Sequence, residues 1–352
     1  MKVSISLHRE AITDWDEMST FVIESEKLGV DCVWTAEGWA HDVATPLAYL
    51  AAKTEKINLG TAIMQLGTRT PPLVAMTAMT LDSMSNGRFR LGLGSSGPQV
   101  IEGWHGIPFA RPLARTREVV DIVKRIFNGE TLAYDGEFHQ LPLRDGGTGE
   151  GKALRSGAPL PKNLPIYIAS LGPRNLRMTG EIADGWLGTS FLPEHANIFL
   201  DPIREGAQAA GRSLDDIDLQ VGGTVWFTDD VDAAVRTIKP GLAFSIGAMG
   251  SRQHNFYNDA YRRQGFADEA REVQRLWLAG EHDKARARVP DQMVLGSNLI
   301  GDKQMIRERL RVYRDAGINT FRAGPRGDTL AERLETLGRF MDIASEVTAE
   351  AS

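Results

Sequence analysis

The chain has 352 residues, 42% of them hydrophobic and 24% charged, with a formal net charge of −6; this is the composition of a folded globular protein and excludes disorder for most of its length. The negative balance also excludes a protein-wide footprint for nucleic acid or an anionic membrane, which needs clustered Lys and Arg, so an anionic ligand must be met by a local site. No apolar run approaches the roughly 20 residues of a membrane span. The segment Met1 to Leu7 lacks the apolar region and small-residue cleavage site of a secretory leader. The single cysteine, Cys32, has no internal disulfide partner and sits in the apolar run Cys32-Val33-Trp34, so it reads as a buried core thiol in a cytoplasmic protein.

In chain order, short β-branched runs alternate with longer amphipathic stretches. Strands are expected at Val3 to Leu7, Asp31 to Thr35, Ile57 to Ile63, Phe89 to Gly94, Ile166 to Ala169, Gly185 to Gly188, Leu219 to Phe227 and Asn319 to Arg322. Helices are expected at Asp16 to Leu28, Thr45 to Thr54, Leu73 to Ser85, Leu113 to Phe127, Arg174 to Ile182, Glu194 to Ala210, Val231 to Ser245 and Leu330 to Val347. Gly29 and Gly87 stand where helices should stop, and Pro71-Pro72 where one should start. Eight such units predict an α/β fold of the (β/α)8 TIM-barrel type, with an open doubly wound sheet as the alternative. Residues 134–141 alternate like a hairpin around Asp135-Gly136. Residues 144–163, rich in Gly, Pro and charge, read as a mobile loop near the barrel mouth. Residues 247–298, carrying Phe256, Tyr257, Tyr261, Phe266 and Trp277, read as a helical insertion that serves as a lid or a homodimer surface, within a single domain spanning 1–352. A further helix, Asp302 to Ala316, leads into the last strand.

Gly92-Leu93-Gly94-Ser95-Ser96-Gly97 has the spacing of a dinucleotide fingerprint. A dinucleotide site belongs on the first βα unit, opens directly into a helix and has an acid about 20 residues on; this one lies on the fourth strand and is followed by Pro98, so the nicotinamide reading is set aside. What remains is a glycine-rich turn at the C-terminal end of a barrel strand, where a flat ring can approach the backbone.

An ordered set of segments spans nearly the whole chain: Val33-Trp34-Thr35-Ala36-Glu37-Gly38-Trp39-Ala40-His41-Asp42, Leu59 to Ile63, Leu81 to Phe89, Gly92 to Gly97 with Glu102-Gly103-Trp104-His105-Gly106, Ile168 to Asn175, and Ala183 to Trp186. Together they resemble the luciferase-like flavin and deazaflavin oxidoreductases, particularly the branch that uses coenzyme F-420, which includes methylenetetrahydromethanopterin reductases and glucose-6-phosphate dehydrogenases of actinobacteria. The resemblance implies a luciferase-like barrel that moves a hydride between the deazaflavin and a small-molecule substrate by reducing an activated C=C, C=N or C=O bond. Flavin mononucleotide and monooxygenase chemistry are the alternative.

Residues just past the strands are then the site candidates. In the family an acidic residue followed by His stands after the second strand; here these positions are Glu37 and Gly38, and His41 is the nearest imidazole. After the third strand the resemblance implies a cis peptide at Ala62-Ile63, with Thr61 beside it. Gly94, Ser95, Ser96 and Gly97 would face the ring. For the cofactor's phosphate, Gly172-Pro173-Arg174-Asn175 opens a helix whose free N–H groups attract an anion, with Arg174 adding donors and Thr189 a hydroxyl, and Ser170 and Leu171 just before it count among the cofactor-binding candidates. Proton delivery is expected from Glu102, shielded by Trp104, with His105 and Glu37 as the other catalytic candidates. A metal-dependent hydrolase would need paired ligands, and none of the seven His has such spacing. A flavoprotein that only stores cofactor is the non-enzyme alternative.

Overall fold

The computed structural model describes residues 1–7, 14–250 and 255–350. Strands β1 (Lys2–Leu7), β2 (Cys32–Thr35), β3 (Asn58–Thr61), β4 (Phe89–Gly94), β5 (Ile166–Ile168), β6 (Gly185–Leu187), β7 (Asp218–Phe227) and β8 (Thr320–Pro325) pair in parallel, each with its neighbour in the chain. The pairing of β8 with β1, in register Val3 to Phe321, closes the sheet into an eight-strand barrel. The open-sheet alternative falls with that closure.

The helices form because their apolar residues recur at helical spacing and find the sheet. In helix Pro112–Phe127, residues Thr116, Val119, Val120, Val123 and Ile126 are buried, and each such aliphatic side chain contributes about 1.5 to 3 kcal/mol. Helix Pro71–Met84 begins where the Thr70 hydroxyl accepts the Leu73 N–H and two prolines fill the first turn. Helix Trp15–Lys27 stops because Gly29 takes φ +86°, a left-handed conformation that a residue without Cβ adopts freely, and its N–H reaches the Glu26 carbonyl at 3.0 Å.

The structure departs from the sequence reading in three places. The run Ile57 to Ile63 is not one strand: β3 ends at Thr61, the chain bulges through Ala62-Ile63, and Met64–Gln65 resumes pairing against Leu93 and Gly94. Leu299–Gly301 is a strand that the sequence reading left between two helices; it pairs with Val225–Phe227 at the mouth end of β7. One helical turn, Pro98–Ile101, does follow the glycine-rich turn. Residues 144–163 carry no helix or strand, in agreement with the loop expected there.

Helices Phe256–Arg263, Ala267–Leu278, His282–Arg288 and Asp291–Ser297 occupy most of the predicted insertion. They pack with helix Val231–Gly247 around a core of their own, which includes Ala243, Ile246, Tyr261, Phe266, Val273 and Met293. The larger core lies between the barrel and its helices.

Candidate active site

The site is built where β3 and β4 meet. The Thr61 hydroxyl accepts the Gly92 N–H and donates to the Gly92 carbonyl, both at 2.8 Å. A Cβ on Gly92 would lie 1.8 Å from the Thr61 carbonyl oxygen, so the strands come this close only because position 92 is glycine. Thr61 is thereby fully buried and spent on the neighbouring strand, and it does not line the cavity above. The next peptide, Ala62-Ile63, is cis, and both side chains do line that cavity, as do Gly94, Ser95, Ser96 and Gly97. Gly94 faces Ile63, whose Cγ1 would be 2.9 Å from an added Cβ.

The cavity has a volume of about 490 Å³, within the usual range for small-molecule and cofactor sites. Its lining runs from the end of β2 (Ala36, Glu37, Gly38, Trp39) through β3 and β4 to the ends of β5 and β6, where Ala169, Leu171, Gly172, Leu187 and Thr189 take part. Phe244, Met249, Phe256 and Tyr257 contribute from the helical side. Among the described residues, Glu37 is the one carboxylate on this surface. Its Oε2 accepts the Gln65 N–H at 3.0 Å and pairs with Arg69 Nη1 at 2.8 Å. Gln65, itself fully buried, donates from Nε2 toward the carbonyls of Glu37 and Gly38 and the Ser96 hydroxyl at 3.3 to 3.4 Å. Sequence reasoning missed Gln65 and Arg69 because their value lies in holding Glu37 and the Ser96 turn together, a cross-strand relation with no local motif.

After β5, the Ser170 hydroxyl donates to Thr179 at 2.8 Å, and Thr179 in turn donates to the Asn175 carbonyl. Ser170 thus pins helix Pro173–Ile182 to its strand. That helix starts at Gly172 without a capping side chain, leaving first-turn N–H groups open to an anion. Gly172 and Asn175 line the cavity, whereas Arg174 is exposed and Pro173 and Arg174 lie outside its lining.

Four further residues singled out in the sequence meet a different geometry. Glu102 is exposed, accepts the Phe109 N–H at 2.9 Å and is not part of the cavity wall. Trp104 is 66% exposed and gives Glu102 no shelter. His105 lies outside the wall as well, with a buried Nε2 that finds no partner among the described residues. His41, the imidazole nearest Glu37 in sequence, packs edge-on against Trp15 with ring centres 5.1 Å apart. These segments follow the right strands, but the one-turn helix Pro98–Ile101 carries residues 102–105 out of the cavity lining. Residues 144–163 contribute nothing to the wall.

The barrel interior nearer the N-terminal strand ends is polar. Asp218 accepts from the Tyr167 and Thr320 hydroxyls at 2.9 Å and from Gln220 Nε2 at 2.7 Å. Arg322, partly buried beside it, donates to the Gly188 carbonyl at 2.5 Å, next to Thr189 of the cavity wall, and desolvation lowers its pKa to about 10. Cys32 is fully buried and unpaired, and burial pushes its thiol up, in keeping with a core role.

The chain is similar to known proteins over nearly its whole length. A protein of Mycobacterium tuberculosis whose name places it among the coenzyme F-420-dependent oxidoreductases is 40% identical over 323 residues, covering 90% of this chain and 93% of its own. The 5,10-methylenetetrahydromethanopterin reductase of Archaeoglobus fulgidus is 26% identical over 92% of this chain and 94% of its own. Among solved structures, the coenzyme F-420-dependent tetrahydromethanopterin reductase of Methanopyrus kandleri superposes with a TM-score of 0.78 at 24% identity, over 96% of this chain and 97% of its own, a likeness of fold. The family model described as luciferase-like monooxygenase matches residues 2–320, and this chain belongs to that family.

Proposed function

We propose that this protein is a coenzyme F-420-dependent oxidoreductase that transfers a hydride between the deazaflavin and a small organic substrate, as a reductase of an activated C=C, C=N or C=O bond. The observation that carries this reading is the 40% identity, over 90% of the chain, to a protein named for that cofactor. The cavity fits the group. Ala62, Ile63, Gly94, Ala169 and Leu187 offer an apolar slot without long side chains, Glu37 supplies one acceptor, and the uncapped helix start after Gly172 suits a phosphate.

When bound, the deazaflavin supplies a ring carbon that gives or takes a hydride. Ile63 and the glycine turn would back the ring, and the Ser170–Thr179–Asn175 chain of hydrogen bonds orients the helix that meets the phosphate. Phe244, Phe256 and Tyr257 would exclude water from the face left to substrate. Because Arg69 and Gln65 occupy Oε2 of Glu37, Oε1, which has no hydrogen-bond partner among the described residues, is the oxygen placed to hold or move a proton. That role passes to Glu37 from Glu102, whose carboxylate is turned to Phe109.

The homodimer belongs to the same reading, supported by Leu73, Met76 and Met84, three exposed apolar side chains on one face of helix Pro71–Met84; light scattering in solution checks it. A cytoplasmic location is likewise part of the proposal. Among the described residues no helix is long and apolar enough to cross a membrane. The activity is tested by mixing the protein and reduced coenzyme F-420 with a panel of activated C=C, C=N and C=O compounds and following reoxidation of the cofactor spectrum. Enzyme-dependent reoxidation by one class is expected. Binding of cofactor with no reoxidation by any compound would leave a cofactor-storing protein.

A further inference from the structure

A second cavity, of about 420 Å³, adjoins the first, and Gly172 and Phe256 line both. Its other walls are Pro173 at the helix start and Asp259, Arg262, Arg263, Ala267 and Arg271 of the insertion. Three guanidinium groups thus meet one carboxylate in a space contiguous with the ring cavity, in a chain whose net charge is −6.

The arginines differ in how they are held. Arg262 pairs with Asp259 and Arg271 with Asp268, each at 3.0 Å within one turn of its own helix; such exposed pairs are weak and readily exchanged for a better anion. Arg263 has no carboxylate partner among the described residues. Its guanidinium stacks over Phe199 at 5.5 Å, Nη2 donates to the Leu171 carbonyl at 2.5 Å, and Nη1 is buried without a partner. Burial lowers its pKa. A half-buried cation with an unused donor beside an uncapped helix start is unfavourable by itself, and an incoming anion relieves both.

We propose that this arginine-lined cavity receives the anionic tail of the cofactor, its carboxylates meeting Arg262, Arg263 and Arg271 while its phosphate lies at the helix start after Gly172. The inference rests on the deazaflavin reading, because coenzyme F-420 carries a phosphate and a carboxylate-rich tail that flavin mononucleotide lacks beyond its phosphate. On this proposal these three arginines, rather than Arg174, meet the anionic part of the cofactor. The helix start was visible locally, but its cations come from a segment about 90 residues later, carried there by the insertion.

The test is equilibrium binding, read by fluorescence, of coenzyme F-420 and of the deazaflavin riboside that lacks phosphate and tail. The proteins are the parent chain, Arg263→Ala and the double variant Arg262→Ala/Arg271→Ala. The expected result is that coenzyme F-420 binding falls about tenfold to a hundredfold in each variant while riboside binding is unchanged, and that the salt dependence seen with the parent chain shrinks. The double variant removes only exposed pairs, so it stays informative if Arg263→Ala folds poorly. Equal loss for both ligands would make the arginines packing elements, and unchanged coenzyme F-420 binding would overturn the tail site while leaving the cofactor reading intact. If the parent chain binds neither ligand, the cofactor reading itself fails and takes this inference with it.

Discussion

The cavity has two unlike walls. The barrel wall is made of strand ends held by the closed sheet: Thr61 clamps Gly92 with two 2.8 Å hydrogen bonds, Gly94 faces Ile63, and Gln65 and Arg69 fix Glu37. The opposing wall is made of helix side chains, with Phe244 43% and Phe256 37% exposed, resting on a separate apolar core. The first wall depends on backbone positions that tolerate no added atom. The second depends on side chains that can change without disturbing a strand. This division suits an enzyme that keeps one ring and varies its substrate: on the proposed reading the barrel side would hold the cofactor's ring, and the aromatic side chains of the insertion side would shape what reacts with it, beside the arginines proposed for its tail.

Substitutions on each side should separate these roles. The largest effect is expected from Glu37→Ala, which leaves the Arg69 guanidinium, with a side chain only 16% exposed, without its partner; stability should fall by about 3 to 5 kcal/mol, measured by urea unfolding. Gly92→Ala comes next, since its Cβ would meet backbone at 1.8 Å. A loss of about 3 kcal/mol should appear as a melting temperature lower by several degrees, and a variant as stable as the parent would mean that the two strands can part there.

A position away from both walls serves as a reference. Burial acts to raise the pKa of Glu118, but the His139 ring and the N–H groups of Glu137 and Phe138 outweigh it, and the carboxyl is lowered from 4.5. A depressed carboxyl contributes stability that is present above the unfolded value and is lost as the pH falls below about 4.5. Glu118→Gln should therefore cost about 1.5 to 3 kcal/mol near neutral pH, and the difference from the parent should vanish under acid. Hydrogen exchange at Glu137 to His139 reads both.

On the insertion side, Phe256→Ala should raise KM for substrate several-fold and leave the dissociation constant of the phosphate- and tail-free deazaflavin riboside within a factor of about two. A matching loss of riboside affinity would erase the division between the walls. Smallest of all, Glu102→Gln should keep turnover within a few-fold of the parent. A loss of 10²-fold or more, the usual cost of removing a general acid, would return proton delivery to Glu102.

Much of the barrel was legible because each strand is a short apolar run and each helix an amphipathic one, and both periodicities are local. The cis peptide at Ala62-Ile63 was expected from resemblance alone, and the break in the strand there was not read, since nothing in Leu59-Gly60-Thr61-Ala62-Ile63 distinguishes a bulge from a continuing strand. Leu299–Gly301 escaped notice because three residues carry too little pattern. The site was less legible than the fold for a related reason. Residues after strand ends could be named, but whether each one faces the cavity depends on the turn that follows. A single helical turn at Pro98–Ile101 was enough to take Glu102 and His105 away, and a cross-strand hydrogen bond was enough to bury Thr61.

The barrel wall is proposed to hold a deazaflavin. This is tested most directly by titrating the purified protein with coenzyme F-420 and with flavin mononucleotide under the same buffer and salt, following fluorescence quenching. Coenzyme F-420 should bind more tightly, by about tenfold or more if the charge-assisted contacts at Arg262, Arg263 and Arg271 form; equal or tighter binding of flavin mononucleotide would contradict a deazaflavin site and move the protein to the flavin-dependent side of its family.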